Sequence, residues 1–160
     1  MTKLLPITIH PNPSLRQKSK EIETTEIAKK EFQQWLLDLG KTMIKEDGIG
    51  LAAPQVGEPI RVIAVQNKNK TIFIINPVIN KRSWAKEWDQ EGCLSVPKTY
   101  GDVQRHKKIS FSYWDQEGKK QKSQAQKLFA RVIQHEIDHL DGILFIDKAK
   151  NIQSHGTSTL

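Results

Sequence analysis

The stretch VIQHEIDHLDG, residues 132–142, places His135 and His139 four residues apart, with Glu136 directly after the first. On a helix that spacing brings both imidazoles to one face. Two imidazoles so placed can hold one metal ion, and the glutamate beside them can move a proton. The surrounding pattern favours a metal over a chance pair of surface histidines. Leu128, Val132, His135, Glu136 and His139 share one broad helical face, and Phe129, Ile133, Ile137 and Leu140 cover an adjacent one. A helix apolar nearly all round is a buried helix. Burying two imidazoles and a carboxylate without partners is costly. A cation removes that cost by taking the nitrogen lone pairs and favouring the ionised carboxylate.

Two histidines leave a catalytic metal one protein ligand short. Cys93, His106, His155, His10 and many carboxylates are candidates for the third. Cys93, in EGCLSVP at 91–97, stands ahead without excluding the others, because a thiolate is a strong ligand for zinc or iron(II). His106 follows a polar, basic stretch and reads as exposed, while His10 and His155 lie near the ends. The glycine-rich loop GIGLAAPQVG, residues 48–57, has the register of a dinucleotide fingerprint but not its context. A helix precedes it, and Pro54 stops another from running through it. Beside a metal such a loop offers bare backbone groups to an extended peptide.

The elements that must position these groups follow from periodicity. Residues 26–46 read as a helix, with Ile27, Phe32, Trp35, Leu36, Leu39, Met43 and Ile44 at helical spacing. The glycines of DGIG, 47–50, are expected to end it. RVIAVQ (61–66) and TIFIIN (71–76) flank NKNK as a hairpin, which Pro77 closes. Residues 109–115 alternate as a strand, DQEG turns, and 119–124 is the return strand. A second helix runs from about Gln124 to Leu140, Gly142 caps it, and 143–147 reads as a short strand. The order predicts an α+β fold of short antiparallel sheets packed around a central helix that carries HExxH. One domain, 1–160, is expected, with 149–160 as a loose tail.

Composition bounds the function. The 160 residues are 37% hydrophobic and 27% charged, with a net charge of +7. No apolar run is long enough to span a bilayer, and the N-terminus lacks the features of a secretory signal. A cytoplasmic protein is expected, with no membrane partner. The single Cys93 cannot form an intramolecular disulfide. The lysines are scattered through different segments without a nucleic-acid motif, so they read as a solvated basic surface with no DNA partner.

GIGLAAPQ (48–55), EGCLS (91–95) and QHEIDHLDG (134–142) together resemble, in order and spacing, the three signature motifs of peptide deformylases. The resemblance spans roughly residues 5–148. It implies an enzyme that removes the formyl group from the N-terminal formylmethionine of nascent polypeptides, releasing formate. It implies Cys93, His135 and His139 as metal ligands and Glu136 as general acid/base. Gln55 and the backbone N–H of Leu94 are implied as oxyanion donors. Water in the fourth metal position is expected to attack the formyl carbon. One divalent ion per chain is implied, iron(II) as the native metal with zinc(II) or nickel(II) as substitutes.

The Gly48, Ile49 and Gly50 segment is expected to pair with extended substrate, and Ile49, Leu128 and Val132 to line a methionine pocket. Tyr100 stands where many members carry an arginine that helps hold substrate. Many members also dock on ribosomes through a C-terminal helix. Residues 149–160 show no amphipathic helix, so ribosome association by that route is weakened. A zinc endopeptidase would need a third ligand other than Cys93. A structural metal in a nucleic-acid-binding domain would need four protein ligands where three are evident.

Overall fold

The computed structural model describes residues 1–155. Its centre is helix α3, Lys127–Leu140, of which Ala130–Ile137, His139 and Leu140 are buried. Helix α1 is a single turn, Thr24–Ile27, and α2 spans Lys30–Lys45. The single helix expected over 26–46 is therefore broken, because Lys29 takes an extended backbone and caps α2. The end of α2 is set by Asp47, which takes φ 55°, and not by a glycine. The Gly48 N–H then returns to the Met43 carbonyl at 2.9 Å, closing the last turn.

Eight strands follow in chain order: β1 Gly50–Ala52, β2 Val62–Asn67, β3 Lys70–Arg82, β4 Lys86–Cys93, β5 Val96–His106, β6 Lys108–Trp114, β7 Lys120–Gln126 and β8 Lys150–Ser154. They form a five-stranded sheet, order β1-β2-β3-β6-β7, and a three-stranded sheet, order β4-β5-β8. Every pairing within the sheets is antiparallel. The expected hairpins β2–β3 and β6–β7 are present.

Burial on both faces explains the apolar run in β2. Ile63 and Val65 pack with Ile74, Ile109 and Phe111 against Ile133 and Ile137 of α3. Val62 and Ala64, pointing the other way, join Phe73 and Ile75 against Leu36, Leu39 and Met43 of α2. The smaller sheet closes a third cluster in which Val96 and Val103 meet Leu15, Leu144 and Phe145.

Three expectations are corrected here. Pro77 does not end β3; a register shift between Ile75 and Val78 absorbs it, and the strand runs on to Arg82. Residues 143–147 form no strand. Phe145–Asp147 is a 3-10 turn held by the Asp147 carboxylate, which accepts from the Leu144 N–H at 2.9 Å. Leu144 and Phe145 are apolar because they plug the third cluster. The tail is not loose over 150–154, which pair with β5 as β8; residues 156–160 lie outside the described residues.

Gly142 supports the turn after α3 as expected. It takes φ 73°, and a Cβ there would lie 2.3 Å from the Arg16 carbonyl oxygen. Gly142→Ala is expected to destabilise the fold by about 1–3 kcal/mol. Urea unfolding should show a lower midpoint with an unchanged slope.

Candidate metal centre and cleft

Helix α3 delivers both histidines from its buried face, and Cys93 arrives at the end of β4, where the strand gives way to a two-residue turn. One ligand atom from each of Cys93, His135 and His139 lies within 4.8 Å of the others. Cys93 Sγ is 3.2 Å from His139 Nε2. The other histidines raised as third ligands do not join this group among the described residues. His106 is half-buried, not exposed, with Nδ1 2.7 Å from the Ser83 carbonyl, and the His155 ring lies 6.0 Å from that of Tyr100. The His10 backbone N–H donates to the Ser95 carbonyl.

Orientation comes from a residue to which the sequence reading gave no role. Glu91, buried on β4, lies with Oε1 2.7 Å from His135 Nδ1. That contact fixes the ring and leaves Nε2 free for the centre. Glu91 is itself gripped by Arg105 of β5, whose Nε and Nη2 donate to it at 2.9 Å each, and by Nη1 of Arg131 of α3 at 2.7 Å. Arg105 also pairs with Asp138, one turn along α3 from Gln134, and Lys148 reaches Asp138 at 2.9 Å. Burial alone would raise the Glu91 pKa. Its hydrogen bonds to His135 and Arg105, and their charges, hold it well below the usual carboxylate range.

Glu136 lies beside this network under different conditions. It is fully buried, and its Oε2 has no hydrogen-bond partner among the described residues. Burial pushes its pKa up to about 7, although the nearby His135 charge opposes the rise. His139 Nδ1 is likewise buried and unpartnered, and burial lowers the His139 pKa well below the ordinary value. Burial also opposes the charged form of His135. Hydrogen bonds to Cys93 and Glu91 outweigh it and raise that pKa to about 10 in the protein alone. A thiolate, two imidazoles and an uncompensated buried carboxylate form a set that a divalent cation satisfies. The residues present therefore fit a metal.

The cleft above this floor has a volume of about 640 Å³ and is lined by Gly48, Ile49, Gly50, Gln55, Leu94, Tyr100, Leu128 and Val132, every one named from sequence, together with Cys93, His135 and Glu136. Ile49, Leu128 and Tyr100 are exposed and Val132 is buried. Gly50 is required by close approach: a Cβ would meet Glu136 Oε1 at 2.5 Å and Val132 Cγ1 at 2.8 Å. Gln55 sits in the 3-10 turn Ala53–Val56. Its Oε1 accepts from the Ala52 N–H at 2.9 Å, which aims its amide nitrogen at Ser95 Oγ (3.1 Å) and Cys93 Sγ (3.4 Å). The backbone of the chain after Pro97 is partly taken, because the His155 N–H donates to the Lys98 carbonyl at 2.8 Å.

The residues supporting the candidate centre that the sequence reading did not single out are Glu91, Arg105, Arg131 and Ser95. The available signal was a glutamate two positions before the cysteine, on a strand too polar to be recognised. Glu91→Gln is expected to weaken metal affinity about 10–100-fold, as competition with a chromophoric chelator would measure. A depressed carboxylate pKa stabilises the fold above its unfolded value of 4.5 and loses that contribution as pH falls below it. The variant should therefore lose less stability than wild type on acidification below pH 4.5.

Comparison with known proteins gives the family. The family model for polypeptide deformylase matches residues 4–155. A peptide deformylase of Dictyoglomus thermophilum is 44% identical over 138 residues, covering 86% of this chain and 88% of that protein. The crystal structure of a Synechococcus elongatus peptide deformylase in complex with actinonin superposes with a TM-score of 0.87 at 38% identity, covering 94% of this chain and 84% of that one. A peptide deformylase of Acinetobacter baumannii with bound Met-Ala-Ser gives 0.88 at 31% identity, over 92% and 99% of the two chains. By its motifs, its fold and these relatives, the chain belongs to the polypeptide deformylase family.

Proposed function

We propose that Cys93, His135 and His139 hold the single divalent ion of a peptide deformylase, iron(II) in its native state, with Glu136 as the proton carrier. The family's activity, removal of the N-terminal formyl group from nascent peptides, is the activity of this chain. One observation carries the assignment of roles: three ligand atoms converge within 4.8 Å beside a buried carboxylate whose Oε2 is unpartnered. A thiolate with two imidazoles suits iron(II), zinc(II) and nickel(II).

When bound, the ion supplies Lewis acidity, drawing the pKa of water towards neutrality and polarising a carbonyl. The chain's own groups do the rest. Glu136 accepts a proton from the attacking water and returns it to the amine as the C–N bond breaks, so formate and a free amino terminus leave. A carboxyl whose pKa burial raises and a nearby cation lowers can serve both halves of that exchange.

Gln55 offers its amide N–H to the oxygen that becomes negative as water adds to the formyl carbon. Its longer bond, 3.4 Å to sulfur, is the one it can redirect, while Ser95 and the Ala52 N–H keep the amide aimed. The Leu94 N–H, in the turn after Cys93, is the second donor. Gly48, Ile49 and Gly50 supply backbone along the cleft for the peptide. Ile49, Leu128 and Val132 surround the methionine side chain, a flexible thioether that suits an apolar wall. Tyr100 borders the peptide beyond it.

With iron(II)-loaded protein under anaerobic conditions, hydrolysis of a formyl-Met tripeptide should release formate. Glu136→Gln should lower kcat about 10²–10⁴-fold with metal retained; unchanged turnover would contradict its role. Glu136 must be ionised to accept the proton, and a nearby cation favours the ionised form. The acid limb of kcat/KM should therefore lie at or below about pH 7, with activity rising as pH increases through it. Gln55→Ala should lower kcat about 10²–10³-fold while KM changes little in a steady-state assay.

A further inference from the structure

The five-stranded sheet has a face that α2 leaves half uncovered. Val62, Ala64, Phe73 and Ile75 lie under that helix, and Trp114 packs at its margin. Farther along, the same face continues through the paired residues Val78 and Ser112, Lys81 and Ser110, Ser112 and Lys122, Ser110 and Gln124, and Lys108 and Gln126. Val78, Lys81, Lys108, Lys122, Gln124 and Gln126 are exposed. A concavity of about 400 Å³ lies at this end, lined by Lys81, Arg82, Lys108, Ser110, Gln124 and Gln126 among others, and by no carboxylate.

Lys81, Arg82 and Lys108 line the concavity, and Lys122, paired with Ser112, lies on the same face. These four cations come from three strands, so the fold brings together charges that are far apart in the sequence. At the edge of the same region stands Trp84, 97% exposed. Its turn is fixed: the Ser83 N–H donates to the Lys108 carbonyl at 2.9 Å, the Lys108 N–H to Ser83 Oγ at 3.1 Å, and Ser83 Oγ to the Ala85 carbonyl at 2.8 Å. An indole held in water by a rigid turn gains nothing for the fold.

We propose that this face binds a single strand of RNA. Lys81, Arg82 and Lys108 take backbone phosphates, Ser110 and Gln124 hydrogen-bond to the sugar–phosphate chain, and Trp84 stacks on a base. Charge complementarity favours a polyanion over a protein partner, and the concave, serine-lined surface fits a strand better than a flat bilayer. The face is separate from the cleft, so a strand and a peptide can be held together.

The test is fluorescence anisotropy of a labelled oligouridine of about 12 nucleotides with the metal-loaded protein. Binding should weaken steeply between about 50 and 200 mM salt. Combining Lys81→Glu, Arg82→Glu and Lys108→Glu should lower affinity at least about 10-fold and reduce the log–log salt slope by about two. Hydrolysis of a formyl-Met tripeptide should be unchanged in that variant, which shows that it folds. Trp84→Ala should weaken binding to single strands more than to duplex RNA. Absence of binding by the wild type at low salt, or equal binding by the triple variant, overturns the proposal. Binding to phosphatidylglycerol vesicles without binding to RNA also overturns it.

Discussion

The buried carboxylate of Glu91 is the contact on which the rest of this structure depends. It touches His135 and Arg131 of α3 and Arg105 of β5, from its own place on β4. The smaller sheet and the central helix are thereby locked in one register, and that register brings Cys93 to the two histidines. Two guanidiniums balance Glu91 and Asp138, with Lys148 at the rim. Removing one partner from such a buried set costs about 3–5 kcal/mol, because a charge is left uncompensated. The fold tolerates the expense of desolvating these ions because they orient a ligand.

Glu136 is the opposite case, and the contrast assigns the two roles. Glu91 is surrounded by donors and stays ionised; Glu136 is buried with one oxygen unpartnered and sits near neutrality. On the proposed reading, environment alone makes one of these two carboxylates an anchor and the other a proton carrier. Gly50 completes the arrangement, since only a missing side chain lets β1 approach the Glu136 carboxylate. The substrate-facing loop and the proton carrier are therefore in direct contact.

The central helix and the β2–β3 and β6–β7 hairpins were legible because each carries a local pattern of helical spacing or alternation, and the residues that the fold brings together around Cys93 and the α3 histidines were singled out by motif. The β4–β5 hairpin was not. Its sequence, KEWDQEGC and VPKTYGDVQRH, is polar because its buried positions hold Glu91 and Arg105, charges that satisfy each other only after folding. Pro77 was read as a stop because a bulge cannot be foreseen from one strand alone. Residues 143–147 looked like a strand because a buried turn and a buried strand share the same apolar composition. β8 was invisible because all five of its residues are exposed and its pairing partner was itself unrecognised.

The central claim is that Cys93 and the two α3 histidines form one metal centre, with the thiolate as a ligand. Cobalt(II) titration of the metal-free protein under anaerobic conditions reads this directly, since a thiolate bound to cobalt gives a near-ultraviolet charge-transfer band. The account predicts a band that saturates at one cobalt per chain and disappears in Cys93→Ser. A wild-type complex without the band, or a band that survives Cys93→Ser, would contradict it.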